Sequence, residues 1–540
     1  MSTLRNDLPA GVAVAGLLVP EAVAYAAIAG LPAAHALIAA VVGLGVYAIL
    51  GRSRFAIVSP TSSSAAVLAA ALGTLGVMRA ARTEFAIVLV ACAGVLFVAA
   101  SLARLGFVAS FVSRPVLRGF AFGLALSIVI KQLPVIVGIG ASGSNVISLL
   151  VHLLEAVTTW HWTGVGLAAV ALALLICLRR VLWLPGGFVV LAAGVFLSYF
   201  IDLPLHHVAL VGPLNFDLAR PDIPRPDRRE ATAIISAAAP LALILFVEAW
   251  GTMRTLGLRH GEALTPDREL LALGAANLAS GLAGGMPVGA GFSASSAGEA
   301  AGAVSRMTGA VAAITVAGLA LLGGNLIARI PEPVLAAIVI SALLHALSPQ
   351  PIMRLWRLQR DYLVSSIAVV AVLLFGVLNG MLVAVALSVM AIVQRLSVPT
   401  VAVLGQLSGT DDYVDVARHP EAIVDPVILI VRPGEPLFFV NAERIFANIE
   451  KRAGNRTKII ICSLEASGDL DSSAIDGLEE SASRITTRGQ RLILAHVKDP
   501  VRDLLVTAGG VVALLGEQSA RTVAEAVNAT RFSLPNFAKD

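Results

Sequence analysis

The stretch Phe85–Leu102 contains no charged residue, and neither do Gly164–Leu178, Phe188–Ile201, Ala310–Ile327 or Ser365–Val393. About 20 apolar residues let an α-helix cross the hydrocarbon core of a bilayer, so these runs read as membrane helices. They are continuous rather than alternating, which excludes a β-barrel. Ser365–Val393 is too long for one crossing and holds Gly376 and Gly380, which predicts two passes joined there. Only 14% of the 540 residues are charged, where a soluble protein carries about a quarter. The sequence therefore specifies a polytopic α-helical membrane protein.

The formal net charge of +4 is small and spread over loops, which does not suggest nucleic acid as a partner. Basic groups flank the apolar runs at Arg52 and Arg54, at Arg179 and Arg180, and at Arg354, Arg357 and Arg360. Such flanks mark the cytoplasmic side, although Arg79 and Arg82 blur the count. The three cysteines, Cys92, Cys177 and Cys462, lie far apart, and no metal-ligand spacing links the histidines. No nucleophile–base pair marks an enzyme. At the N-terminus, Arg5, the run Ala10–Val19 and "AYA" at Ala24–Ala26 mimic a cleavable signal peptide. Asp7, the interruption at Pro20–Glu21 and the apolar character beyond it argue instead for a retained first helix.

After Arg395 the composition changes. "SVPTVAVLGQLSGTDDYVDVARHPEA" reads as a polar connector, placing a domain boundary near Pro399. Residues 1–398 then form the transmembrane domain and residues 399–540 the linker and a water-exposed domain. There, strands are expected at Val427–Val431, Leu437–Val440, Lys458–Cys462 and Leu492–Ala495. Helices are expected at Asn441–Lys451, Ser472–Arg484 and Asp499–Thr507. That alternation implies a small α/β domain.

Two stretches break the apolar pattern. In "GGMPVGAGFSASSAGEAAGA", Gly284–Ala303, the Gly and Pro residues prevent a continuous helix until Phe292. The reading is an unwound loop feeding a half-helix with Ser293, Ser295 and Ser296 in its first turns. "IVSPTSSSAAVLAAAL", Ile57–Leu72, repeats the design with Pro60, Thr61, Ser62 and Ser63. A helix N-terminus offers unpaired N–H groups and partial positive charge, which suit an anion. Upstream of each break lies a lone acid in an apolar helix, Glu21 and Glu248. Paired broken segments in two halves point to an inverted repeat and a transporter site. An acid in apolar surroundings needs a function or a partner, which singles out Glu248, Glu21 and also Glu299, on the same helix face as Ser295.

Three stretches, "VPEAVAYAAIAGLPAAHAL", "FVSRPVLRGFAFGLALSIVIKQLPVIVG" and "GAANLASGLAGGMPVGAGFSASS", resemble signature segments of the sulfate permease (SulP) anion transporters. "VAVLGQLSGTDDYVDVARHPEA", within the stretch that composition alone reads as connector, "GEPLFFVNAERI" and "LDSSAIDGLEE" resemble their C-terminal STAS domain. The resemblance implies about fourteen transmembrane segments in two seven-segment inverted repeats, divided into core and gate bundles. It implies elevator-like alternating access, a homodimer in the bacterial inner membrane and cytoplasmic STAS domains. It places the substrate, a small anion of the sulfate, bicarbonate or carboxylate class, at Thr61, Ser62, Ser63, Ser293, Ala294 and Ser295, with Glu21 and Tyr25 of the first helix. It assigns Glu248 to cation coupling; Glu299, at a position the family usually leaves uncharged, is an extra acid and a second candidate for that role. The family often has Pro-Gln where this chain has Pro20–Glu21, and a basic residue where it has Ala294, which favours anion uptake with a co-transported proton or sodium ion and no other cofactor. A nucleobase or other weak-acid substrate is the alternative on the same architecture. In related regulators a serine at the STAS turn is phosphorylated, here Ser472, although a hydroxyl at a helix start also serves as a cap.

Overall fold

The structure, a computed structural model, describes residues 2–75, 82–111, 113–139, 146–178, 186–213, 228–344, 346–359, 361–398 and 400–533. The chain divides into two compact units, Met1–Ser388 and Val389–Asp540. Pro399, where the sequence predicts the boundary, lies outside the described residues.

The first unit opens with helices α1 (Ser2–Ala29) and α2 (Ala33–Leu50), a two-residue strand β1 (Val58–Ser59) and the short helix α3 (Ser62–Thr74). Then come α4 (Arg82–Leu102), α5 (Arg114–Val137), the short α6 (Val146–Glu155), α7 (Trp162–Leu178) and α8 (Gly186–Phe200). The second half repeats this order. It has α9 (Arg228–Arg259), α10 (Pro266–Leu282), strand β2 (Gly289–Ala290), the short helix α11 (Phe292–Ala300) and α12 (Met307–Leu322). After α13 (Gly324–Ala328), α14 (Glu332–Leu343) and α15 (Gln350–Leu358), α16 (Tyr362–Ser397) breaks at Gly376, whose φ is +81°. That break is the predicted join between two passes. Among the described residues, with α6, α13 and α15 set aside, each half supplies seven segments, and the broken segment is third in both. Ala310–Ile327, expected to be continuous, is instead split at Gly323 into α12 and α13.

The packing separates the halves' helices into two bundles. One contains α1–α4 and α9–α12: α4 lies on α9 and α10, α12 on α1 and α2, and α3 on α1 and α9. The α4–α10 crossing is close because glycines line it. A Cβ on Gly94 would sit 2.5 Å from the Leu278 nitrogen, and one on Gly281 2.7 Å from the Ala91 nitrogen. The other bundle contains α5, α7, α8, α14 and α16, with α14 packed on α5, α7 and α8, and with α16 meeting α5 at Gly119 and Gly123 and bonding Ser113 before it through Ser388. Helix α1 touches members of both, including α8 and α14.

The second unit is an α/β sandwich. Its strands are β3 (Val401–Gln406), β4 (Tyr413–Asp415), β5 (Ile428–Pro433), β6 (Ile459–Ser463) and β7 (Arg491–Ala495). They stand in the order β4-β3-β5-β6-β7, with β5, β6 and β7 parallel and β3 antiparallel to both neighbours. The helices are α17 (Ala442–Arg452), α18 (Ser472–Thr487), α19 (Asp499–Ala508), α20 (Gly510–Glu517) and α21 (Val523–Ser533). Alternation along β6 serves two layers: Ile460 and Cys462 face a core with α17 to α20, while Ile459 and Ile461 face one with α21.

Two sequence expectations fail here. The stretch read as connector contributes β3 and β4. Leu437–Val440, expected as a strand, is irregular because side chains take its backbone donors. Leu437 N–H donates to Ser467 Oγ at 3.1 Å, Phe438 N–H to Asn441 Oδ1 at 3.0 Å and Phe439 N–H to Asp471 Oδ2 at 2.7 Å. Asp471 is also the cap of α18, accepting the Ala474 N–H at 2.8 Å. Ser472 follows it, exposed, so it does not cap the helix.

Candidate transport site

The two broken segments meet. Strands β1 and β2 pair antiparallel, Val58 opposite Ala290 and Ser59 opposite Gly289, all buried. This two-stranded bridge fixes the starts of α3 and α11 beside one another at the centre of the first bundle. Unwound backbone is tolerated at such depth only when its polar groups find partners or line a cavity.

Helix α10 supplies many of those partners. Asn277, fully buried, accepts the Val288 N–H at 2.9 Å and donates to the Val288 carbonyl at 2.9 Å. Ser280 Oγ donates to the Met286 carbonyl at 2.7 Å. On the α2 side, His35 Nδ1 lies 2.5 Å from the Gly284 carbonyl and its own carbonyl accepts the Met286 N–H at 3.3 Å. Sequence reading missed these three residues. Their polar side chains in apolar helices, close before the break or opposite it, were the available signal.

The two half-helices start differently. Thr61 caps α3 through a reciprocal box: its Oγ1 accepts the Ser64 N–H at 3.0 Å, and Ser64 Oγ accepts the Thr61 N–H at 2.9 Å. At α11 the cap position is Gly291, and no side chain caps the helix. The α11 start therefore leaves first-turn N–H groups for a ligand, under the positive end of the helix dipole.

The acids of both halves reach these helix starts. Glu248, on α9, accepts a short hydrogen bond from Ser63 Oγ, which also lies 2.9 Å from Thr61 Oγ1. Glu21, on α1 and buried, lies beside the hydroxyls of Tyr25 and Ser293. Tyr25 is buried within electrostatic reach of both carboxyls. Each acid follows a proline in its helix, Pro20 before Glu21 and Pro240 two turns before Glu248. Thus Glu21, Tyr25, Thr61, Ser63, Glu248 and Ser293 are brought together, with Ser62 half-buried at the first position of α3.

Three predicted residues sit otherwise. Ser295 is fully buried and its Oγ accepts the Ile57 N–H at 3.0 Å, tying α11 to the backbone entering β1. Ala294 is buried beside it. Glu299, at the far end of α11, pairs with His260 Nε2 at 2.7 Å and Arg259 Nη1 at 3.3 Å rather than with Glu248. Among the described residues no three His, Cys, Asp or Glu side chains gather as a metal site.

A membrane unit of two inverted halves, each with a half-helix at a central site, defines a secondary transporter. The chain matches the sulfate permease family over residues 4–369 and the STAS domain over residues 419–526, and it belongs to that family of anion transporters. It is 32% identical over 514 residues to a probable sulfate transporter of Mycobacterium tuberculosis, covering 94% of this chain and 91% of that one. The chloroplastic sulfate transporter 4.1 of Arabidopsis thaliana is 28% identical over 536 residues, covering 95% and 78%. In fold, the chain is similar to the murine solute carrier 26 member A9 anion transporter, solved inward-facing, with a TM-score of 0.90 at 20% identity, covering 98% and 92%. It is also similar to the transmembrane domain of the cyanobacterial bicarbonate transporter BicA, with a TM-score of 0.63 at 21% identity, covering 72% and 97%.

Proposed function

We propose that this protein takes up a small inorganic or carboxylic anion together with a proton, by alternating access. The observation that carries the reading is the pair of half-helix starts, joined by β1 and β2, each with an acid of a neighbouring helix at its first turn: Glu248 bonded to Ser63, and Glu21 beside Ser293. The uncapped α11 start supplies backbone N–H donors and Ser293 a hydroxyl, while Ser63 does the same from α3. No basic side chain stands at the α11 start, where Ala294 occupies the position. A buried carboxylate beside an entering anion is costly, so a cation must accompany the anion. A proton on Glu248 meets that need without a coordination shell. In the alternating-access step the first bundle, which carries the whole site, moves against the second.

The sidedness follows from charge. Asp7 accepts the Ser305 N–H at 3.0 Å, Arg306 reaches the Ile49 carbonyl at 3.3 Å, and Arg54 pairs with Glu262 at 2.5 Å. These contacts put the start of α1, the end of α2, the α9–α10 turn and the start of α12 on one membrane face. That face carries Arg52, Arg54, Arg259, Arg268 and Arg306, and by the positive-inside rule it is cytoplasmic. A cytoplasmic STAS domain in a bacterial cell is part of the same proposal. The relatives named as sulfate transporters make sulfate the first anion to try, and a homodimer is the expected assembly.

The test is uptake into liposomes of labelled sulfate, bicarbonate, a dicarboxylate and uracil under imposed pH and sodium gradients. An inward proton gradient should drive accumulation of one of the anions without sodium, and Glu248→Gln should lose the acceleration. Uptake of uracil alone would identify an organic weak-acid transporter. Uptake that needs sodium and ignores pH would replace the proton with sodium.

A further inference from the structure

Helix α12 ends at Gly323, short of the continuous run that the sequence predicts, and the chain turns there into α13. Beside that turn a groove of about 280 Å³ runs down the side of the membrane unit. Leu191, Val195 and Tyr199 of α8 form one wall; Val19 of α1, Leu319 of α12 and Leu326 of α13 form the other. The groove thus has a wall in each bundle. From Phe188 to Tyr199 it follows α8 for about 16 Å at the rise of an α-helix. Phe196, Tyr199 and Leu326 are exposed, so it opens sideways, towards the hydrocarbon of a bilayer.

A cation stands at its mouth. Arg329, just past α13, lays its guanidinium over the Tyr199 ring, 4.3 Å from the centroid, and reaches the Ser198 carbonyl at 3.5 Å. It is exposed, and among the described residues it pairs with no carboxylate. Helix α12 starts on the face assigned above to the cytoplasm, so Arg329 lies at the opposite face, level with lipid headgroups. We propose that the groove binds an anionic phospholipid of the outer leaflet, one acyl chain along α8 and the phosphate on Arg329. The bound lipid then holds the two bundles in the arrangement seen here.

The groove's chemistry selects this occupant. Water finds no set of polar partners between apolar walls. An empty groove forfeits the dispersion contacts of its lining, which an acyl chain restores. Chain burial alone gives little preference, because bilayer hydrocarbon solvates Leu and Phe as well as protein does. The headgroup supplies it. Arginine offers a phosphate two parallel charge-assisted hydrogen bonds, and the Tyr199 ring holds the plane of that fork in place. A phosphate without an ammonium of its own gains most from this contact.

A chain wedged between the bundles links them. Sliding of the first bundle past α8 would shear the groove, so a lipid that fits this arrangement better than the other favours it by that difference in affinity. This restraint rests on the alternating-access reading; the binding site does not, and the experiment keeps the two apart.

The full-length protein is reconstituted with a trace of phosphatidylglycerol carrying a diazirine on one acyl chain, or with the matching phosphatidylcholine, and labelled residues are located by mass spectrometry. Label from phosphatidylglycerol should concentrate on Phe188–Tyr199 and Leu319–Ile327. It should exceed that from phosphatidylcholine about fivefold, the preference one arginine gives near an anionic headgroup. Arg329→Gln should bring the ratio to about one. Ala192→Phe, at an exposed position lining the groove, should fill it and remove the label. Even labelling of every lipid-facing helix, an unchanged ratio in Arg329→Gln, full label in Ala192→Phe, or cross-links from the groove to a second copy of the chain would each overturn the lipid site. In liposomes, exchanging phosphatidylcholine for phosphatidylglycerol should slow anion uptake by the wild type, and Arg329→Gln should relieve the slowing. The same lipid dependence in both proteins would overturn the restraint. A wild type that keeps the label but takes up no anion of the panel would overturn the transport reading and leave the lipid site standing.

Discussion

The Asn277 carboxamide binds Val288 at both ends of its backbone, N–H and carbonyl, each at 2.9 Å. Asn277 thus acts as a one-residue strand beside the unwound segment, and its Nδ2 also donates to the Leu273 carbonyl at 2.9 Å. Asn277→Leu would orphan two buried backbone groups, each costing about 1–3 kcal/mol. The expected result is a melting temperature in detergent lowered by several degrees and loss of uptake, with Asn277→Asp intermediate because it keeps the acceptor for Val288 N–H.

Ser293 and Ser295 should separate under alanine substitution. Ser295 Oγ serves the protein's own Ile57 N–H at 3.0 Å and is fully buried. Its loss should cost about 1–3 kcal/mol of stability and act on transport mainly through folding. Ser293 is exposed and lies beside Glu21, so Ser293→Ala should leave the melting temperature near wild type and weaken anion affinity. Thermal melts and binding isotherms on the same two preparations decide the matter, and the reverse pattern would exchange their roles.

These residues show where the sequence was legible. The breaks at Gly284–Gly291 and at Pro60, and the lone acids Glu21 and Glu248, are visible because Gly, Pro and charge are conspicuous in apolar runs. The partners Asn277, Ser280 and His35 were not, since their roles depend on contacts that local pattern does not encode; His35 and Gly284 are 249 residues apart. For the same reason Glu248 looked associated with the serines of its own half, while the fold bonds it to Ser63 of the other. In the α/β unit, strands with buried parallel neighbours, such as β6, were legible from apolar runs. Edge strand β4 is not, because Tyr413–Asp415 is only partly buried and reads as loop. Leu437–Val440 is apolar enough for a strand but loses its backbone donors to Ser467, Asn441 and Asp471.

The α4–α10 crossing should not accept a larger residue. Gly94 and Gly281 each place backbone nitrogen of the partner helix within 3 Å of any added Cβ, and overpacking of this kind costs about 1–3 kcal/mol or forces the helices apart. Gly281→Leu should therefore reduce the yield of monodisperse protein, whereas Gly166→Leu, where nothing lies within 4 Å of a Cβ, should not. Size-exclusion profiles of the two variants provide the comparison.

Cys462 reports unfolding of the α/β unit. It lies in β6, next to its last residue, 1% exposed, and burial pushes its thiol up to about 12. The thiolate, the reactive form, is therefore scarce at neutral pH, and access is blocked as well. Maleimide should leave Cys462 unmodified in the native protein and modify it fully in denaturant, as read by mass spectrometry. Asp471→Ala, which removes the cap of α18 and the acceptor for Phe439 N–H, should accelerate Cys462 labelling under native conditions, since loss of such a cap costs about 0.5–2 kcal/mol.

Glu299 and Glu248 should part company in transport. Glu299 already has two cationic or potentially cationic partners, Arg259 and His260, and its side chain is 21% exposed. A carboxylate neutralised by its own protein in partial contact with water has no need of a transported cation, and such a pair contributes about 0–1 kcal/mol to stability. Among the described residues Glu248 is bonded to a hydroxyl, that of Ser63, which in turn lies against Thr61. Glu299→Gln should accordingly retain gradient-driven accumulation of anion, with at most a modest change in rate from the loosened contact between α11 and the end of α9. Glu248→Gln should abolish the response to the gradient. Both are read in the same liposome assay at fixed protein density, and loss of proton-driven accumulation in Glu299→Gln with wild-type melting would move Glu299 into the coupling machinery.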